Sequence, residues 1–118
     1  DEIDEGNLRK SSMNIIYDMS MIKDEKLTKL INLSDSINGN NYLHKAVIDQ
    51  VPELVCYFIG KKIDINCQNK FKETPLIIAI KLKNKAIIKI LLDNNANVNL
   101  VDIYGHNCLF YSDVSYLN

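Results

Sequence analysis

The sequence predicts an all-α solenoid of stacked helix–turn–helix units joined by hairpin loops. Three observations carry this. Leu43, Leu76 and Leu109 stand 33 residues apart, as do Ala46, Ala79 and Ser112, and Gly39, Lys72 and Gly105. Asn66 and Asn99, and Asn69 and Asp102, share the spacing. Glu53–Ile59 and Ala86–Leu92 carry the same apolar pattern one period apart. A period of this size marks supersecondary units that bury an apolar face only by stacking on one another. The reading expects a core without β-sheet and like surroundings for Leu43, Leu76 and Leu109.

In chain order, residues 1–12 are expected to form a flexible acidic arm, and 13–118 the repeat domain. Within it, 13–38 is a degenerate capping unit, 39–71 and 72–104 are repeats, and 105–118 is a partial repeat. Met13–Ile22 and Glu25–Ile31 supply the capping helices, with Leu27, Leu30 and Ile31 inward. Aligning Glu25 with Glu53 leaves the loop Asn32–Asn38 short of the regular spacing, so no full hairpin is expected there. The unit 72–104 is the clearest. Thr74 is a good N-cap, and Pro75 at the first helical position gives up only an N–H that would be unpaired anyway. Leu76, Ile77, Ala79 and Ile80 form the apolar stripe of its first helix. Ala86–Leu92 forms the second, with Ile87, Ile88, Ile90, Leu91 and Leu92 inward. Lys85 and Lys89 lie four apart on its wet face. Asn94-Asn95 ends it, since Asn tolerates the left-handed position after a helix. Asn107–Asn118 then supplies a first helix with no second. The chain is therefore expected to be a fragment, a minimal stack with irregular caps, or a stack completed by a partner.

At these residues the chain resembles the ankyrin-repeat family. The resemblance rests on Thr74-Pro75-Leu76 with Ala79, Ile90-Leu91-Leu92, Asn95-Ala96-Asn97-Val98-Asn99, Asp102 and Gly105. Gly39, Leu43-His44, Ala46, Leu54-Val55, Phe58-Ile59 and Asp64-Ile65-Asn66 match in the preceding unit. Asn41-Tyr42 departs from Thr-Pro, Ile77 from His, and Lys72 and Lys83 from Gly. If Lys72 keeps a positive φ, it stores strain of about 1 kcal/mol; the alternative is that the turn differs there. The resemblance implies that His44 braces a turn.

Composition bounds the function. With 14 Lys+Arg against 15 Asp+Glu, the formal charge is −1. Bulk attraction to nucleic acid or to a membrane surface is disfavoured. No apolar run approaches the roughly 20 residues of a membrane span, and Asp1–Glu5 lacks the order of a secretion signal. Three cysteines without CxxC spacing argue against a disulfide framework and for a reducing compartment, hence a cytoplasmic location, in a host cytoplasm or nucleus if the source is a pathogen. Lys outnumbers Arg 13 to 1 and Ile and Asn abound, a bias of AT-rich coding sequences that points to viral or parasite sources.

Chemistry-bearing groups are few. His44 and His106 are the only histidines. Cys108 with His106 is the sole candidate nucleophile–base pair, without an orienting third group. Cys56 and Cys67 read as small hydrophobes. No metal-ligand spacing and no phosphate loop occurs, so no cofactor and no enzymatic activity are expected. Arg9-Lys10-Ser11-Ser12 has the form of a basic-directed kinase site, a pattern common by chance.

The resemblance implies a concave face lined by hairpin tips and first helices. It places partner contacts at Ile37, Asn38, Asn40, Ile48 and Asp49, then Lys70, Phe71, Glu73, Lys81 and Leu82, then Ile103, Tyr104 and His106, with Val114 less secure. Phe71, Ile103 and Tyr104 have no intrinsic reason to face water, and apolar tips rimmed by charge have the make-up of a binding hot spot. The competing reading is that the tips pack on one another. The expected function is a non-enzymatic protein–protein interaction module. In a narrower form it is a viral or pathogen protein acting on a host regulator, or an inhibitor of an NF-kappa-B-like transcription factor. The alternative is a structural segment of a larger repeat protein, or a homo-oligomer joined through the uncovered C-terminal end.

Overall fold

The computed structural model describes residues 33–116, with side chains to 112, together with Ser11, Lys29 and Ile31. Five helices follow one another: α1 (Tyr42–Ile48), α2 (Pro52–Gly60), α3 (Pro75–Lys81), α4 (Lys85–Asp93) and α5 (Cys108–Tyr116). No strand occurs among the described residues. The expected arm 1–12, the expected kinase site and the capping helices at 13–22 and 25–31 lie outside the described residues, those three positions apart. Ile31, expected inward, is buried in the common core.

Local chemistry starts each helix. Asn41 Oδ1 accepts from the His44 N–H at 3.0 Å, and the His44 ring Nδ1 accepts from the Asn41 N–H at 3.1 Å, a reciprocal cap for α1. So the departure from Thr-Pro at Asn41-Tyr42 costs no capping bond. Thr74 Oγ1 accepts from the Ile77 N–H, and Asn84 Oδ1 from the Ile87 N–H, each at 3.1 Å. Pro52 and Pro75 open α2 and α3. α1 packs on α2 and α3 on α4; across units α1 packs on α3, α3 on α5, and α2 on α4. The result is two layers, an inner row α1–α3–α5 and an outer row α2–α4, around one apolar core.

Burial follows position in this stack. Leu76, Ile77 and Ala79 are fully buried, and Ile78 joins them because α3 is flanked by α1, α4 and α5; Ile80 is half-buried. In α4 the expected inward set is too wide. Ile87 and Leu91 are fully buried, Ile88 and Ile90 are half-buried, and Leu92 is 45 % exposed. Among the described residues no further outer helix lies on the side of α4 that corresponds to the covered side of α2. The same openness overturns the expectation for the three period-linked leucines. Leu43 and Leu76 are buried at 0 % and 1 %, whereas Leu109 on α5 is 66 % exposed. Cys56 is exposed on α2 rather than packed in the core.

Positive φ recurs with the period. Gly39, Lys72 and Gly105 have φ of 77°, 58° and 78°; Gln50 and Lys83 have 58° and 59°; Lys62 and Asn95 have 69° and 66°. These are the hairpin tip, the turn between paired helices, and the end of each outer helix. The lysines at 72 and 83 therefore hold left-handed backbone, which settles the open question at Lys72 in favour of a positive φ. The short loop before α1 nonetheless closes a complete tip. The Asp35 N–H donates to the Asn40 carbonyl at 2.8 Å and the Gly39 N–H to the Asp35 carbonyl at 2.6 Å. The expectation of no full hairpin there is corrected: the tip needs only residues 35–40.

Candidate functional site

Each later tip is organised by one buried polar side chain. Asn69 Oδ1 accepts from the N–H groups of Phe71 and Glu73, each at 2.9 Å. Asp102 Oδ1 accepts from those of Tyr104 and His106, at 2.9 and 3.0 Å. Both residues are buried. Burial pulls the Asp102 carboxyl upward, but the Tyr111 hydroxyl and the His106 and Tyr104 N–H groups all donate to it and hold it below the usual carboxylate range.

Adjacent tips are joined backbone to backbone. The Lys70 N–H donates to the Asn38 carbonyl at 2.9 Å, and one period later the Ile103 N–H donates to the Phe71 carbonyl at 3.0 Å. Side chains add to this ladder: Asn69 Nδ2 donates to Asn40 Oδ1 at 2.9 Å, Gln68 Nε2 to the Val101 carbonyl at 3.0 Å, and Lys70 Nζ to the Ser36 carbonyl. The tip backbones pack, while the apolar side chains of the tips stay in water: Ile37 is 73 % exposed, Phe71 52 %, Ile103 48 % and Tyr104 71 %.

The remaining expected contact residues divide. Glu73 is a hub. Its Oε1 accepts from Asn69 Nδ2 at 3.1 Å, its Oε2 meets Lys81 Nζ at 2.6 Å, and its carbonyl accepts from His44 Nε2 at 2.8 Å. Burial pulls the Lys81 ammonium down, yet its bond to Glu73 holds it above its ordinary range. Lys81 also lies over the Tyr111 ring at 4.6 Å. Leu82 caps α3 and is 40 % exposed; Ile48 is 42 % exposed, and Asp49 pairs with Lys45 at 3.1 Å. The side chain of Val114 is not described.

His44 braces the stack: fully buried, it bonds Asn41 through one ring nitrogen and the next unit's Glu73 carbonyl through the other. Desolvation lowers its pKa, so it is neutral and carries its proton on Nε2. Ile77, at the equivalent position, is buried without such a bond to make. His106 does not face Cys108. Its ring stacks on Phe110 at 3.6 Å and 10°, while Cys108 Sγ points at the Val98 carbonyl, 3.5 Å away. Burial raises the Cys108 thiol, the opposite of what a nucleophile needs. Among the described residues no three His, Cys, Asp or Glu side chains gather as a metal site, and no helix is long and apolar enough to cross a membrane.

Sequence reasoning missed the part played by Tyr111 and Phe110. Together with His106 they form an aromatic cluster on the tip side of α5, with Phe110 51 % exposed. No periodic signal marks them.

Paired short helices, tips closed by a buried Asn or Asp and one bond per tip to the next define a stack of helix–turn–helix repeats. The family model for ankyrin repeats (3 copies) matches residues 43–114, and the chain belongs to the ankyrin-repeat family. It is 33 % identical over 109 residues to an ankyrin repeat protein of Acanthamoeba polyphaga mimivirus, covering 87 % of this chain and 57 % of the relative. A second mimivirus ankyrin repeat protein is 39 % identical over 83 residues, 67 % of this chain and 51 % of the relative. The nuclear factor NF-kappa-B p105 subunit of Gallus gallus is 30 % identical over 112 residues, 86 % of this chain and 11 % of the relative. The chain thus spans about half the length of the two viral relatives. Ankyrin repeats are typically non-enzymatic binding modules, and they imply a protein partner.

Proposed function

We propose that the chain grips a partner protein through its hairpin tips and inner-helix face. The observation that carries this is the row Ile37, Phe71, Ile103 and Tyr104, about half or more exposed, on tips whose backbones are bonded to one another. Large apolar side chains held still in water lose little ordering entropy on association. The tied pair Glu73–Lys81 and the His106 imidazole, stacked on Phe110, supply polar recognition beside this row. Kinship with viral ankyrin repeat proteins supports a host regulator as the partner. The test is capture of host proteins by the intact chain and by a Phe71→Ala, Tyr104→Ala double variant. Loss of about 2 kcal/mol or more, roughly 30-fold in affinity, with unchanged helicity is the expected result. Equal capture by both refutes the assignment of the surface.

A narrower reading is that the partner is an NF-kappa-B-like transcription factor. The likeness to the p105 subunit over 86 % of this chain favours it. Titration of purified NF-kappa-B subunits against the chain tests it, and no saturable binding removes it.

A further inference from the structure

The central tip differs from its neighbours in charge. At the positions of Lys70 and Lys72, the tip before carries Ile37 and Gly39, and the tip after carries Ile103 and Gly105. Lys72 takes a place whose φ of 58° suits glycine, so a side chain stands there against the preference of the backbone. The segment is held still. The N–H groups of Lys70, Phe71 and Lys72 donate to the Asn38 carbonyl, Asn69 Oδ1 and the Asn69 carbonyl, each at 2.9 Å. The carbonyls of Phe71 and Lys72 accept from the Ile103 N–H and from Gln68 Nε2, each at 3.0 Å. Phe71 therefore stands between two exposed lysines on a fixed backbone. Among the described residues neither lysine forms an ion pair, and the Lys70 ammonium donates to a neutral acceptor, the Ser36 carbonyl. The carboxylates of the same edge are already engaged. Asp35 and Asp102 are buried and accept from N–H groups of their own tips, and Glu73 is held by Asn69 and Lys81.

We infer that the tip row selects an acidic partner: an extended segment whose carboxylates meet Lys70 and Lys72 while an aliphatic or aromatic residue between them packs on Phe71. This rests on the reading of the tips as the gripping surface and names the chemistry of what they grip. Two cations without carboxylates of their own draw in a segment of opposite sign over about one Debye length, roughly 8 Å at physiological salt. A basic segment would bring like charge to both lysines, and the engaged carboxylates offer it no partner. The apolar residues Ile37, Phe71, Ile103 and Tyr104 supply the contact area. At a helix spacing of about 10 Å the tips that carry them span about 20 Å, the length of roughly six extended residues. Lys72 also stores strain that glycine would relieve, and strain of this kind is found where a side chain serves contact rather than folding. Nucleic acid fits less well, because its affinity scales with the number of phosphates neutralised and this tip offers two unpaired lysines.

The probe is a phage-displayed library of random peptides of about 12 residues, selected on the full chain and then titrated as labelled synthetic peptides by fluorescence anisotropy. The selected peptides are expected to be net acidic, with an aliphatic or aromatic residue between carboxylates, and their affinity to fall severalfold as salt rises. A Lys70→Glu, Lys72→Glu variant with native circular dichroism should bind them about tenfold more weakly. Lys72→Gly should weaken them about threefold while the urea midpoint rises, a combination that damage to the fold cannot produce. Selected peptides that are neutral or basic, or whose affinity ignores both lysines, overturn the inference. If those peptides are still released by Phe71→Ala, Tyr104→Ala, the tip surface stands and only its charge preference falls. Acidic peptides indifferent to Phe71→Ala, Tyr104→Ala remove the tip surface and this inference with it. A library that enriches no peptide over an unrelated protein overturns the inference as well. So does a single-stranded thymidine oligonucleotide that binds as tightly through the same lysines, because phosphate is then the ligand. A dimer in sedimentation that Lys70→Glu, Lys72→Glu dissociates also overturns it, because a second copy then fills the row.

Discussion

Replacing Lys72 and Lys83 by Gly should stabilise the protein. Both lysines hold left-handed backbone, with φ of 58° and 59°. At the position equivalent to Lys72, the units before and after have Gly39 and Gly105. A Cβ in this region costs about 1–2 kcal/mol, because it crowds the following carbonyl. Glycine returns part of that, about 0.5–1 kcal/mol, through the extra freedom of its unfolded chain. The balance is about 0.5–1 kcal/mol in favour of glycine at each site. Both residues are exposed, and the backbone bonds they make, Lys72 N–H to the Asn69 carbonyl at 2.9 Å and Lys83 N–H to the Ile80 carbonyl at 3.0 Å, survive the change. The sites lie on different turns, so the double variant should gain about 1–2 kcal/mol, near-additively. Urea denaturation followed by circular dichroism reads this as a rise in midpoint at constant slope, and Tm should rise about 4–8 °C per kcal/mol for a domain of this size. The converse comparison tests the same argument. A Cβ at Gly39 would come within 2.8 Å of the Lys70 nitrogen, the donor that ties one tip to the next, whereas a Cβ at Gly105 meets nothing within 4 Å. Gly39→Ala should therefore cost more than Gly105→Ala. Unchanged or lowered stability in the Lys72→Gly, Lys83→Gly variant would refute the strain argument.

Two further outcomes follow from titratable groups. Burial lowers the pKa of His44 below its ordinary 6.5, so the folded chain keeps it neutral while the unfolded chain takes up a proton. Its contribution is complete above 6.5 and is lost as the pH falls below that value towards the folded pKa. Denaturation midpoints at descending pH should show this decline, and His44→Gln should flatten the part of it near 6.5. Tyr111→Phe removes the hydroxyl that donates to the buried Asp102 carboxylate and should cost about 1.5–3 kcal/mol. The same change should move acid unfolding to higher pH, because the depressed Asp102 pKa stabilises the fold above its unfolded value and loses that effect as protons bind.

The fold was legible in the residues because repetition multiplies a weak local signal. Thr74-Pro75, Asn94-Asn95 and the 33-residue spacing each act through nearest neighbours, and the helix starts, the tips and the left-handed turns appear where those residues stand. The tip side chains Phe71, Ile103 and Tyr104 were legible for the same reason, since the turn dictates that they point outward. The extent of burial in α4 was not legible. Ile87 and Leu92 are alike in chemistry, yet one is fully buried and the other 45 % exposed. Nor was the hub role of Glu73, which reaches His44, Asn69 and Lys81 on three different segments.

By itself, then, the sequence determined the repeat, its capping chemistry and the identity of the residues on the tips, all set by interactions within a few positions along the chain. Only the tertiary structure decided which aliphatic faces are covered. Burial depends on whether a neighbouring helix is present, and Leu43, Leu76 and Leu109 carry the same side chain in the same register while, among the described residues, only the first two have a unit stacked over them.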